Sequence, residues 1–364
     1  MTTRLSSNSV GASKLDRRVA VAPMMDWTDR HCRYFLRGFS SEVLLYSEMI
    51  TAAAIVRGDG ARLLAFDPEE HPVALQVGGS EPRELAAAAR AGEQAGYDEI
   101  NLNCGCPSDR VVSGAFGACL MLEPMRVAEC VAAMRAAVRV PVTVKMRIGV
   151  VSTAQREVHG SVAQFDERDF EALRHFVSKL RDGGCQVAIV HARKAVLGGL
   201  SPRDNREIPP LRYDVVRRLK TAFPSMPIVV NGGLGEPHAV LEALSWCDGV
   251  MLGREAYHRP YVLAELQRAL HPGAGAAPTR EALILRMQRY AERELAAGGR
   301  LAAITRHMLG LYAGQPGARD YRRTLSEGAR LPGAGAELLP LAIPAGGAGA
   351  GGAVSSPPQR WRVI

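Results

Sequence analysis

Between residue 19 and about residue 257 the chain alternates short apolar runs, rich in β-branched residues, with stretches of helical periodicity; after Tyr257 only helical patterning remains. Eight runs read as strands, at residues 19–22, 43–47, 73–77, 99–103, 142–146, 187–191, 228–231 and 249–253. Segments 82–95, 124–138, 167–181 and 211–223 repeat their apolar positions at helical spacing, and several open on proline or an acidic residue, as helix N-termini prefer. Eight strands with helices between them, and one after the last, predict an α/β fold. They fit a closed (β/α)8 TIM barrel over residues 18–258, whose usual size is about 250 residues. An open doubly wound sheet fits less well, given the strand count and the lack of an early Gly-x-Gly-x-x-Gly turn. A smaller all-helical domain follows at 259–331. One connection, 147–166, is too long for an ordinary βα loop and is either a lid or a disordered excursion. Residues 1–17 read as a flexible leader, and the Gly/Ala/Pro-rich stretch 332–364 as a disordered low-complexity tail.

Composition narrows this picture. The chain is 47% hydrophobic but only 5% aromatic, so its core rests on aliphatic side chains and methionine. No segment has the apolar length to span a bilayer, and the first fifteen residues lack the apolar run of a secretory signal. Seven irregularly spaced cysteines argue against a disulfide framework and for a reducing, cytoplasmic setting. The net charge of +8 is unevenly placed. Residues 259–330 hold twelve Arg, no Lys and six acids, a net +6 that leaves +2 for everything else. Guanidinium groups suit bidentate contact with phosphate, so a polyanionic partner is expected; no obligate protein partner and no membrane association are evident.

In such a barrel the functional groups sit at the C-terminal ends of the strands. Those ends carry Pro23-Met24-Met25, Gln76, Asn101-Leu102-Asn103, Lys145-Met146-Arg147, His191-Ala192-Arg193, Asn231-Gly232-Gly233 and Gly253-Arg254. Each alone has an ordinary structural reading; together they point to a site. Gly232-Gly233 and Gly253-Arg254 follow strands seven and eight, where barrels commonly bind phosphate through bare backbone. Lys145 ends an apolar strand and should face the barrel mouth, where an ammonium suits an anion such as the N1/O2 edge of a reduced flavin. Gln76 could bond the flavin's pyrimidine edge, and His191 could meet flavin, phosphate or substrate. Cys104 and Cys106 do not have the spacing of common zinc sites, so no metal is expected. A thiol in a loop above the barrel is better placed to protonate a carbanion after hydride delivery, and these residues alone do not separate the two cysteines.

Taken together, several blocks are specific. Ala22-Pro23-Met24-Met25-Asp26-Trp27-Thr28-Asp29, Gln76-Val77-Gly78-Gly79, Asn101-Leu102-Asn103-Cys104-Gly105-Cys106-Pro107-Ser108, Lys145-Met146-Arg147-Ile148-Gly149 and His191-Ala192-Arg193 resemble the tRNA-dihydrouridine synthases. The segments from Gly199 to Pro210 and from Ile304 to Leu311 are similar to the A-type bacterial subfamily. This resemblance implies a bound FMN, NADPH as reductant and tRNA uridines 20 and 20a as substrate. It implies FMN contacts at Pro23, Met24, Met25, Gln76, Lys145, His191, Asn231, Gly232, Gly233, Gly253 and Arg254. It implies that Cys106 is the general acid, and that Asn103, Arg203, Arg206 and Arg306 contact tRNA. Met25 stands where the family commonly has leucine, a change that conserves volume. The alternatives from other classes are an FMN-dependent reductase of a free pyrimidine, which needs no Arg-only helical domain, and a tRNA-binding protein without catalysis.

Overall fold

The computed structural model describes residues 15–108, 114, 116–152, 164–198, 200–273 and 275–344. Eight parallel strands close into a barrel: β1 (Val19–Val21), β2 (Leu44–Thr51), β3 (Val73–Gly78), β4 (Glu99–Cys104), β5 (Val142–Arg147), β7 (Ala188–His191), β9 (Ile228–Asn231) and β10 (Gly249–Leu252). They lie in the circular order β1-β10-β9-β7-β5-β4-β3-β2, which makes the fold a (β/α)8 TIM barrel. Helices follow the strands around the outside, and their ends obey local chemistry. Pro82 and Pro124 sit in the first turns of Pro82–Ala95 and Pro124–Ala137, and Gly96 closes the former in the left-handed conformation. Asp166 and Asp169 form a reciprocal capping box at the start of Glu167–Asp182.

Two further strands were not expected. β6 (Val150–Ser152) lies in the long connection after β5 and pairs in parallel with β8 (Ala195–Leu197), forming a small sheet of its own. The connection therefore begins as ordered structure, while its residues 153–163 lie outside the described set, as does Gly199. The second barrel strand also runs four residues beyond the predicted end at Ser47, through a register shift between Tyr46 and Met49.

The barrel interior is part apolar and part polar. Ala20, Ala22, Leu44, Tyr46, Ala74, Val187, Ile189, Val229 and Met251 form an apolar cluster, with Met24 packed against it. Among these, β3, β4 and β5 also bury Gln76, Glu99, Asn101, Asn103 and Thr143. The bottom is closed by residues expected to belong to a loose leader. Arg17 bridges to the buried Glu99 at 2.6 Å, and its carbonyl would stand 2.0 Å from a Cβ at Gly249, so only glycine fits there.

The chain divides into two compact units between Pro278 and Thr279, twenty residues past the expected domain end at 258. Helix Val262–Leu270 belongs to the first unit: Gln267 bonds Ser40, and the Leu270 carbonyl accepts from Arg18 at 3.3 Å. In the second unit the expected tail does not begin at 332. Leu338 packs so closely on Gly328 that a Cβ there would lie 2.8 Å from it, and Leu339 in helix Leu338–Leu341 is fully buried. The remainder of that stretch, 345–364, lies outside the described residues. No described helix is long and apolar enough to cross a membrane.

Candidate active site

Strand alternation decides which thiol faces the barrel mouth. In β4, Asn101 and Asn103 point inward, so Cys104 points out toward the helices. Cys104 is fully buried, and burial, reinforced by the thiols of Cys130, Cys185 and Cys119, pushes its own thiol well above the ordinary range. Past Cys104 the chain turns. Asn103 Oδ1 accepts the N–H groups of both Gly105 and Cys106 at 3.0 Å, and the Cys106 carbonyl accepts from Ala118 at 2.9 Å. This pins Cys106 above the barrel, partly exposed, with Sγ 3.4 Å from Ser108 Oγ.

The clamp on that loop is the upper end of a buried hydrogen-bond chain. Asn103 Nδ2 donates to Gln76 Oε1, Gln76 Nε2 to Asn101 Oδ1, and Asn101 Nδ2 to Thr143 Oγ1, each at 2.8 Å. Thr143 Oγ1 donates to Glu99 Oε1 at 2.6 Å, where the Tyr46 hydroxyl also donates, and Arg17 holds the other oxygen. Its direction is fixed at both ends. Two backbone N–H groups must donate at the top and a carboxylate must accept at the bottom, so every amide between has one allowed orientation.

Beside this chain lies a group of cations. Lys145 is two residues above Thr143 on β5, paired in register with Asn103. Burial, then Arg147 and Arg206, lowers its ammonium from 10.5 to about 8, and the Cys106 thiol lies within electrostatic range. His191 is driven well below 6.5 by burial and by Arg147, Lys145, Arg193 and Arg206, so it is neutral at pH 7. Among the described residues no carboxylate forms an ion pair with Lys145, Arg147 or Arg206. The nearby acid, Glu207, is taken by Arg254 at 2.9 Å and Arg203 at 3.6 Å.

The remaining strand ends complete the mouth. Gly232 and Gly233 have φ of +109° and +70°; Cβ atoms there would stand 2.6 Å from His191 and 2.4 Å from Leu211. Gly253 is different, since nothing lies within 4 Å of where its Cβ would be. The Asn231 side chain donates to the Met251 carbonyl at 2.7 Å. After β1, Thr28 caps the turn through Met24, leaving Pro23 and Met24 half-buried and Met25 56% exposed.

Comparison with known proteins decides the family. The family model described as dihydrouridine synthase (Dus) matches residues 20–343. The chain is 52% identical to the tRNA-dihydrouridine(20/20a) synthase of Xanthomonas axonopodis pv. citri over 326 residues, covering 90% of this chain and 93% of that protein. Identity to the like-named proteins of Shewanella oneidensis and Synechocystis sp. is 51% over 339 residues and 53% over 328, covering 93% and 90% of this chain and 96% and 94% of theirs.

The chain belongs to the dihydrouridine synthase family. The residues of this dihydrouridine synthase singled out from sequence fall into three places. Cys106, Asn103, Gln76, Lys145, His191, Asn231, the three glycines and Arg254 stand at the C-terminal ends of the barrel strands, with Pro23, Met24 and Met25 on the loop after β1. Arg206 ends the 3-10 turn Asp204–Arg206 and Arg203 immediately precedes it, and Arg206 is within electrostatic range of Lys145, His191 and the Cys106 thiol. Arg306 belongs to the second unit, its Nε 3.0 Å from His307 Nε2.

Sequence reading missed the supports. Asn205, fully buried, ties the arginine-bearing turn to β8: its Oδ1 accepts from the Val196 N–H at 2.7 Å and its Nδ2 donates to the Val196 carbonyl at 3.0 Å. Asn101, Thr143 and Glu99 were strand residues without a role. The available signal was their spacing, since polar residues at alternate positions in otherwise apolar strands must share one face.

Lys145 gives a pH test. Without an anion its ammonium is half deprotonated at about pH 8; an anion at the mouth favours the charged form. Affinity for FMN, the anion that the sequence resemblance implies, should therefore fall as pH rises through 8 toward 10, with proton uptake on binding, and Lys145→Met should flatten that fall. Calorimetry in buffers of different ionisation enthalpy reads both. A pH-independent affinity in the unsubstituted protein would remove the lysine from the binding site.

Proposed function

We propose that this protein reduces uridines 20 and 20a of tRNA to 5,6-dihydrouridine, with FMN as bound cofactor and NADPH as reductant, in the cytoplasm. The observation that carries the reading is the placing of a partly exposed thiol, Cys106, beside Lys145 and uncompensated cations at the barrel mouth, in a chain about half identical to proteins of that name.

The residues present fit the cofactor. An ammonium at the mouth without a carboxylate partner, Lys145, favours an anion, and the bare backbone at Gly253 leaves space for a phosphate. Lys145, Gln76 and His191 would hold the ring system, with Pro23, Met24 and Met25 against it. Asn231, Gly232, Gly233, Gly253 and Arg254 would hold the phosphate end. Bound FMN, reduced by NADPH, supplies the hydride that adds to uracil C6.

The chain's own residues do the rest. The uridine must leave its stack to reach the mouth, as bases acted on by enzymes generally do. Asn103 fixes the Cys106 loop, and the Cys106 thiol gives its proton to C5 while the S–H electron pair stays on sulfur. Solvent restores the thiol. Arg203, Arg206 and Arg306 would meet the tRNA backbone, together with the other arginines of the helical unit. The test is to incubate the purified protein with NADPH and unmodified tRNA and map dihydrouridine. Reduction at positions 20 and 20a is expected. Reduction of free uracil or orotate with none in tRNA, or tight tRNA binding by a colourless, inactive protein, would overturn the reading.

A further inference from the structure

Arg147 is the most buried cation of the mouth, only 3% exposed, yet it meets no carboxylate. By alternation along β5 it points to the same side as Thr143 and Lys145, and it pairs in register with His191. Two of its three nitrogens are committed. Nε donates to the Gly105 carbonyl at 3.0 Å, and Nη1 donates to the carbonyls of Lys194 at 3.1 Å and Asn205 at 2.9 Å. One side chain thus ties the acid loop to the β8 segment and to the arginine-bearing turn. Nη2 has no hydrogen-bond partner among the described residues and is not among the buried polar atoms left unsatisfied, so it opens onto accessible space.

A buried guanidinium with three carbonyl acceptors and a free nitrogen is an incomplete site. Carbonyls hold it in place without neutralising it, and Arg206 and Arg193 repel it. The missing partner is an oxygen that carries negative charge. The Cys106 thiol lies within its electrostatic range, and Arg147 also bonds the residue preceding Cys106.

We propose that Arg147 is a catalytic residue, whose Nη2 bonds the uracil O4 as negative charge develops there. This rests on the reading given under Proposed function. Hydride addition at C6 moves the C5=C6 π pair toward C5 and O4. The charge on O4 meets a fixed donor, and it is discharged when C5 takes the Cys106 proton and the C4=O4 double bond is restored. A donor preorganised for a developing oxyanion acts in the transition state more than in substrate binding. The same guanidinium, through Gly105, holds the acid loop over the carbon to be protonated.

The test uses full-length holoenzyme with Arg147→Lys and Arg147→Ala. Reduction by NADPH should stay within about twofold of the unsubstituted protein, while single-turnover oxidation of the reduced enzyme by tRNA slows by about 10²–10³-fold, with tRNA affinity little changed. Guanidinium ion at low concentration should recover about tenfold of the Arg147→Ala loss, a response that a purely structural role would not give. Should Arg147→Ala prove insoluble, Arg147→Lys carries the test, since lysine keeps the charge but not the planar fork. Oxidation by tRNA at a near-normal rate in Arg147→Lys would overturn the proposal. So would a loss fully restored by saturating FMN, which would assign the guanidinium to the cofactor instead. If the unsubstituted enzyme forms no dihydrouridine at all, the failure belongs to the function and not to Arg147.

Discussion

Replacing Cys106 with alanine is expected to leave FMN bound and reducible by NADPH while dihydrouridine formation falls by about 10²–10⁴-fold, the usual contribution of a positioned general acid. The backbone explains why the effect should be selective. Asn103 holds the loop through the N–H groups of residues 105 and 106, and Ala118 bonds the carbonyl of 106. None of these contacts uses the thiol, so alanine removes the proton donor and leaves the loop. Neither neighbour is a ready substitute. Cys104 is sealed behind the strand, its proton held more tightly by burial, and Ser108, 3.4 Å from the sulfur, offers a hydroxyl far weaker as an acid. Stopped-flow flavin reduction by NADPH and dihydrouridine counted per tRNA separate the two half-reactions. Near-normal turnover by the alanine variant would remove Cys106 from the acid role.

The barrel was legible because its signal is periodic and repeated. Each of the eight apolar runs became a barrel strand, and Pro82, Pro124 and Glu167 marked helix starts where the structure has them. The two short strands were not legible, since three residues are too few to establish a period, and each is defined only by its partner. The first part of the tail, 332–344, was misread for a related reason. Its composition is that of a disordered segment, but Leu338 finds a surface at Gly328, where the missing side chain leaves room, and no local pattern announces that contact.

At the site, position along the chain was enough to place Lys145, His191 and the glycines at strand ends, because the fold dictates where strand ends meet. It could not separate Cys104 from Cys106 without knowing which faces of β4 are lined by helices. Nor could it reveal that Gln76 spends much of its hydrogen-bonding capacity on Asn101 and Asn103. Arg147 stood in a specific motif without a role; its role comes from the carbonyls of Gly105, Lys194 and Asn205, which lie far apart in sequence.

Glu99→Ala should cost about 3–5 kcal/mol of stability, the range for removing one member of a buried ion pair. The carboxylate is completely buried and receives Arg17 at 2.6 Å, Thr143 at 2.6 Å and the Tyr46 hydroxyl. Alanine leaves a largely buried guanidinium and two buried hydroxyls without their acceptor, and it opens a cavity inside the barrel. Glu99→Gln keeps one oxygen for Tyr46 and Thr143 but turns an amide N–H₂ toward Arg17, donor against donor. It should lose less, about 1–3 kcal/mol. Urea unfolding of both variants, alongside the unsubstituted protein, measures the order and the size. The two also separate stability from function. Because Thr143 must donate downward for Asn101, Gln76 and Asn103 to keep their orientations, Glu99→Gln, which preserves that acceptor, should retain the Cys106 loop and its turnover at temperatures where it is folded. A loss under about 1 kcal/mol for Glu99→Ala would mean that the chain is not anchored at its lower end, and that Asn103 holds the acid loop by local bonds alone.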